Sequence, residues 1–165
     1  MYNFGPAAPS ESIVFGACKP SHDRRAPVDD SIDDWIEYME QQGIERVCCL
    51  LDDQQLSEYD NLLKAYTEYF GAEKVCHAPI TDFRVIDKPV LHETVLPFLK
   101  EAVARSEPTV VHCSAGQGRT GHVLVLWLVH GRGYELEDAI QAVRRMGRSP
   151  LEAASRNDLK ALIQR

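Results

Sequence analysis

Two hydrophobic periods alternate along the chain. Short apolar, β-branched runs at 13–17, 44–51, 74–80 and 109–112 read as buried strands. Between and after them, apolar positions at helical spacing predict helices over 32–42, 57–70, 89–104, 119–130 and 135–146. The punctuation agrees. Ser31 and Asp34 make a capping-box-like start, Gly43 and Gly71 are stops, Pro89 opens a helix, and Gly131 and Gly133 close one. Ser149, Pro150 and Glu152 supply the N-cap, the N1 proline and the N3 acid of a last helix. Strands separated by helices predict an α/β fold whose central, mostly parallel sheet of four to five strands is flanked by helices. Ligands of such sheets gather at the carboxyl ends of the strands. Four segments reach that edge: the loop after Ala17, Asp52 and Asp53, residues 81–88, and the stretch after His112.

At 165 residues the chain is read as one domain, 1–165, since domains run to roughly 100–200 residues. Eighteen basic against twenty-five acidic side chains leave a net charge of −7. That balance repels polyanions, so nucleic acid and acidic membranes are not expected partners, and an anionic substrate must be captured by a local site. The longest apolar run, 123–129, is too short to span a bilayer, and no basic residue precedes Lys19 to start a signal peptide. Five cysteines, an odd number without paired spacing, point to reduced thiols and a cytoplasmic location. His22, His77, His92, His122 and His130 lack ligand spacing and read as surface or packing residues; no metal and no cofactor are expected.

The chemistry concentrates in His112-Cys-Ser-Ala-Gly-Gln-Gly-Arg-Thr-Gly121, between a strand and a helix. Residues 113–119 have the length to curl around one tetrahedral anion. Gly116 and Gly118 allow the positive φ that turns successive amides inward, and Ser114, Ala115 and Gln117 complete the ring. The following helix aims its positive end at the same point. Arg119 adds a planar clamp for two oxygens. In that field Cys113 is expected to ionise at a pKa of roughly 3.5–7.5, which makes it a nucleophile beneath a cradled phosphate. Simpler readings remain: a phosphate cradle without chemistry, or a buried apolar thiol. Gly116-x-Gly118-x-x-Gly121 also matches a dinucleotide fingerprint, but no strand with an acidic residue follows it. The Walker pattern is absent.

The ten residues match His-Cys-x-x-Gly-x-x-Arg-[Ser/Thr], and the chain resembles the cysteine-dependent protein tyrosine and dual-specificity phosphatases, in particular their compact archaeal and bacterial forms. Val143-Arg144 and Ser149 resemble a further segment of that family. The resemblance implies a protein tyrosine phosphatase-like fold and a phosphomonoester hydrolase working through a cysteinyl-phosphate on phosphotyrosine, with phosphoserine and phosphothreonine in proteins as further substrates. It implies a general acid on the loop before the Cys: Asp82, with Asp87 as rival and Asp52 and Asp53 behind them. Thr120 would bond the sulfur and ease its departure, while His112 would hold the loop and tune the thiol. A loop without Lys disfavours phosphoinositides, and the absence of paired cysteines after Cys113 disfavours an arsenate reductase. Arg24 and Arg25, Arg144, Arg145 and Arg148 are expected on solvated faces. Cys48 or Cys49 would be the candidate to trap an oxidised Cys113 as a disulfide.

Overall fold

The computed structural model describes residues 1–22 and 28–164. Its sheet contains β1 (Gly5–Pro6), β2 (Val14–Ala17), β3 (Arg46–Cys49), β4 (Val75–His77) and β5 (Thr109–His112) in the order β1-β2-β5-β3-β4. β1 runs antiparallel to β2, and every other pairing is parallel. The register sets Ala17 and Cys49 on either side of His112, so β2, β5 and β3 reach the carboxyl edge together. The segment after His112 therefore leaves from the middle of that edge. Leu50 donates its amide to the His112 carbonyl at 2.9 Å, and Lys19 donates to that of Ser114 at 3.0 Å, which knits the neighbouring strand ends to it.

Both faces of the sheet are covered, which is why β3 and β5 are buried throughout instead of alternating between core and solvent. Cys48, Leu50, Val111 and Cys113 share one core with α6 (Gly118–Arg132) and α7 (Leu136–Arg145). Val47, Cys49 and Val110 face the other, against Trp35, Met39 and Tyr66 from α1 (Val28–Gln41) and α3 (Leu62–Phe70). α6 is buried from Gly118 through Leu128, as the unbroken apolar run 123–129 requires.

Several predicted elements are corrected. The helix expected over 57–70 starts five residues later, as α3 capped by Asn61, and a separate short helix that the pattern does not predict, α2 (Asp53–Leu56), capped by Asp52, precedes it. The helix opened by Pro89 is α4 (Lys88–Val90) and α5 (Leu96–Arg105) joined through a π-helical turn at Leu91–Val95. The last helix, α8 (Arg156–Ile163), has its N-cap at Ser155 in place of Ser149, in a capping box formed with Asp158. Ser149 and Pro150 instead pass close against α6, where a Cβ on Gly121 would lie 3.0 Å from the Pro150 Cα. β1, only two residues long, leaves no periodic trace in the sequence.

Candidate active site

The residues after β5 form a closed loop whose carbonyls are tied outward one after another. The Cys113 carbonyl accepts from His112 Nδ1 at 3.1 Å, and that of Ser114 from the Lys19 amide at 3.0 Å. The Ala115 carbonyl accepts from Asn3 Nδ2 at 3.3 Å. The Gly116 carbonyl accepts from Arg148 Nη1 at 2.6 Å and from Asn3 Nδ2 at 3.3 Å. In a trans peptide the N–H lies opposite the C=O, so four outward carbonyls turn the amides of residues 114–117 inward. One of them, Gly116 N–H, donates to Cys113 Sγ at 3.3 Å. Gly116 has φ +77°, and a Cβ there would lie 2.7 Å from the Ala17 carbonyl, so both backbone and space require glycine. Gly118, expected at positive φ, is instead the first residue of α6. Its missing side chain permits a close approach, since a Cβ on Gly118 would stand 3.1 Å from that of Glu152.

Cys113, 2% exposed, lies at the floor of a cavity of about 90 Å³ that Arg119, Asp82, Phe83 and Glu152 also line. The Arg119 guanidinium is buried and held: Nη1 donates to Gln55 Oε1 at 2.7 Å and to the Ile80 carbonyl at 2.9 Å. Its Nη2 faces Asp82 Oδ1 at 3.3 Å. Gln55 is placed by the Asp52 cap of α2, and Asp52 itself does not line the cavity. Asp82 sits in a turn closed by the Arg84 amide on the Thr81 carbonyl, with Phe83 at φ +61° and its amide on Asp82 Oδ1. Asp87 precedes α4 and does not line the cavity.

His112 is fully buried. Because Nδ1 must carry the proton it gives to the Cys113 carbonyl, Nε2 accepts from the Tyr66 hydroxyl at 3.0 Å. Burial lowers its pKa to about 4, so the ring is neutral and acts on the loop through hydrogen bonds alone. Thr120 Oγ1 is buried without a hydrogen-bond partner, so the bond to Cys113 Sγ is not formed in this structure. Cys48 and Cys49, adjacent on β3, point to opposite faces of the sheet: Cys48 shares the core of Cys113, and Cys49 lies in the other. A hydrogen bond with Cys76, along with burial, raises the Cys48 pKa well above its ordinary value; burial raises that of Cys49 to about 12. Cys48 and Cys49 are both reduced thiols, and only Cys48 lies on the face of the sheet that holds Cys113.

Arg148 departs from expectation. Arg144 and Arg145 are exposed, but Arg148 is 3% exposed and grips the loop from behind, reaching the Asn3 carbonyl at 2.8 Å with Nη2. His122, expected as a surface or packing residue, is fully buried and hydrogen-bonded at both ring nitrogens. Three arginines within five residues look alike in sequence, and only the position of carbonyls in need of a donor separates them. Arg24 and Arg25 lie outside the described residues. Among the described residues, no group of three His, Cys, Asp or Glu side chains could hold a metal ion, and no helix is long and apolar enough to cross a membrane.

Residues 20–132 match the family model described as "Polymorphic toxin system, DSP-PTPase phosphatase". The chain is 36% identical over 74 residues to the dual specificity protein phosphatase Mpk3 of Drosophila melanogaster, covering 45% of this chain and 18% of that one. It is 27% identical over 108 residues to the amyloplastic phosphoglucan phosphatase DSP4 of Castanea sativa, covering 63% and 29%. The chain thus spans less than a third of the length of these two relatives. Among solved structures, Tk-PTP in its active form superposes with a TM-score of 0.67 at 26% identity, over 96% of this chain and 94% of that one. Kinase associated phosphatase shares the fold, with a TM-score of 0.71 at 21% identity over 92% and 83%. The loop around Cys113 and the matched span together lead to one conclusion: the chain belongs to the DSP-PTPase phosphatase family, the cysteine-dependent dual-specificity phosphatases.

Proposed function

We propose that the protein hydrolyses phosphomonoesters through a cysteinyl-phosphate, with phosphotyrosine, phosphoserine and phosphothreonine of proteins as substrates. The observation that carries the reading is the convergence of Cys113, Arg119 and Asp82 on one small cavity whose loop carbonyls are tied away from it. The Cys113 thiolate attacks phosphorus; the S–P bond forms as the P–O bond to the leaving group breaks. Asp82, as the carboxylic acid, gives its proton to the departing oxygen. Inward amides and the Arg119 guanidinium hold the phosphoryl oxygens throughout. A water then attacks phosphorus and yields its proton to the Asp82 carboxylate, and the sulfur leaves as thiolate.

The choice of protein substrates is supported by the rim. Phe83 is 67% exposed beside the cavity and offers an apolar surface for an aryl ring. Glu152 on the same rim and the net charge of −7 disfavour ligands carrying several phosphates, such as inositol lipids. The activities named for the relatives, protein phosphatase and phosphoglucan phosphatase, bracket the choice.

The test is hydrolysis of an aryl phosphate in EDTA. Cys113→Ser is expected to be inactive yet to bind phosphate, and Asp82→Asn to lower kcat with KM little changed. Full activity of Cys113→Ser would refute the mechanism. A crippled Asp87→Asn beside an intact Asp82→Asn would reassign the acid. Phosphopeptides and a soluble phosphoinositide, compared by kcat/KM, decide the substrate class, and a preference for the phosphoinositide would overturn it.

A further inference from the structure

The turn that carries Asp82 hangs between two anchors. At its start, the Ile80 amide donates to the Leu50 carbonyl at 3.0 Å, and the Ile80 carbonyl accepts from Arg119. At its end, the amide of Ile86, a residue 1% exposed, donates to His122 Nε2 at 3.1 Å. The other ring nitrogen of His122, Nδ1, donates to the Gly118 carbonyl at 3.0 Å, one turn back on α6. Since a carbonyl only accepts and an amide only donates, one neutral tautomer satisfies both bonds. Burial supports that state by lowering the His122 pKa to about 4, with Arg119 and Asp158 as the charged groups acting on it. A single ring thus ties the end of the acid-bearing turn to the first residue of the helix that follows the phosphate loop. Between the anchors the turn is exposed at 81–84, Phe83 is held in the left-handed region, and Asp82 itself meets Arg119 across 3.3 Å.

We propose that His122 is a positioning residue, the latch that holds the Asp82 turn in register over Cys113. This deepens the proposed reaction and rests on Asp82 as its acid. The ring never touches substrate; it acts by denying the turn a second position. The consequence is chemical selectivity of the loss. Protonation of the leaving oxygen matters for a poor leaving group and little for a good one, so a loosened acid turn slows the first far more than the second.

Two substitutions separate the latch from the rest of the ring. Asn at 122 retains a donor near Nδ1 for the Gly118 carbonyl but is too short to accept from Ile86. Gln retains an acceptor near Nε2 and can keep that bond. For His122→Asn, kcat/KM on phosphotyrosine is expected to fall about tenfold, a fraction of the roughly 10²–10⁴ that a positioned acid supplies. On an aryl phosphate with an acidic phenol, kcat/KM should change little, and amide hydrogen exchange across 81–86 should quicken. His122→Gln should restore slow exchange and the wild-type ratio between the two substrates. Wild-type exchange across 81–86 in the Asn variant, or equal losses on both substrates in the Asn and Gln variants, would overturn the proposal. Asp82→Asn serves as the control. If it shows no leaving-group-dependent loss, Asp82 is not the acid, and the exchange data alone then decide whether His122 holds the turn.

Discussion

Arg148 offers the clearest separation of stability from activity. Its guanidinium is buried against carbonyls, with no carboxylate in the pairing, donating to those of Gly116 at 2.6 Å and Asn3 at 2.8 Å. Burial lowers its pKa from 12.5 to about 10. That difference corresponds to about 3 kcal/mol against the charged form. Two hydrogen bonds from a charged donor return about 1.5–3 kcal/mol each. Arg148→Met removes both sides of this balance, so folding stability should fall by no more than about 3 kcal/mol, a shift of up to about 10 °C in Tm for a chain of this length. Catalysis has no such compensation. Without Arg148 the Gly116 carbonyl keeps only the longer bond from Asn3 Nδ2 at 3.3 Å and can rotate inward, replacing an amide donor with an acceptor in front of the phosphoryl group. Loss of one such donor costs about 10²–10³ in kcat when complete, so a loop that flips part of the time should lose about tenfold or more. Thermal melts and steady-state hydrolysis of an aryl phosphate, run on the same preparations, read the two quantities. Wild-type kcat in Arg148→Met would refute the role of the outward carbonyls. A Tm drop of more than about 10 °C accompanying the activity loss would refute the energetic cancellation.

Two further outcomes follow from other parts of the site. His112 and His122 both have pKa values of about 4 in the fold against 6.5 when unfolded, so the unfolded chain takes up their protons first. Stability should be full above pH 6.5 and decline as the pH falls toward 4, by about 1.4 kcal/mol per pH unit for each ring. Urea midpoints at about pH 7.5, 5.5 and 4.5 measure it, and a flat profile would show that the rings are not held neutral. Gly116→Ala places a Cβ 2.7 Å from the Ala17 carbonyl at φ +77°. Strain of about 1–3 kcal/mol should displace the loop rather than unfold the sheet. Activity and phosphate affinity should then drop at least tenfold while the far-ultraviolet circular dichroism is unchanged; an alanine variant that binds phosphate normally would contradict this geometry.

The elements that can be read from the chain are those whose local pattern and tertiary surroundings agree. β5 is found at the predicted residues because a short β-branched run, buried on both faces, has no competing use. The start of α8 is ambiguous because Ser149-Pro-Leu-Glu152 and Ser155-Arg-Asn-Asp158 carry equivalent capping signals. Pro150 packs against the backbone of α6 at Gly121, which keeps the first from opening a helix. α2 is not foreseen from the sequence pattern because its four residues bury no side chain and so leave no periodicity; its value lies in presenting Gln55 to Arg119.

The same division runs through the site. Covalent order alone determined that a thiol, glycines and a guanidinium share one strand-to-helix loop, because their spacing is short enough that the backbone has few ways to place them. It also placed Asp82 and its rival Asp87 as candidate acids in a loop bound for the same sheet edge. Which distant groups grip that loop was decided only by tertiary packing. Asn3, Lys19 and Arg148 reach it from separate parts of the chain, and His122 meets Ile86 from 36 positions away. Nothing local distinguishes these residues from surface neighbours. They are selected by buried carbonyls and amides that must find a partner, and where those groups lie depends on how strands far apart in sequence come into register.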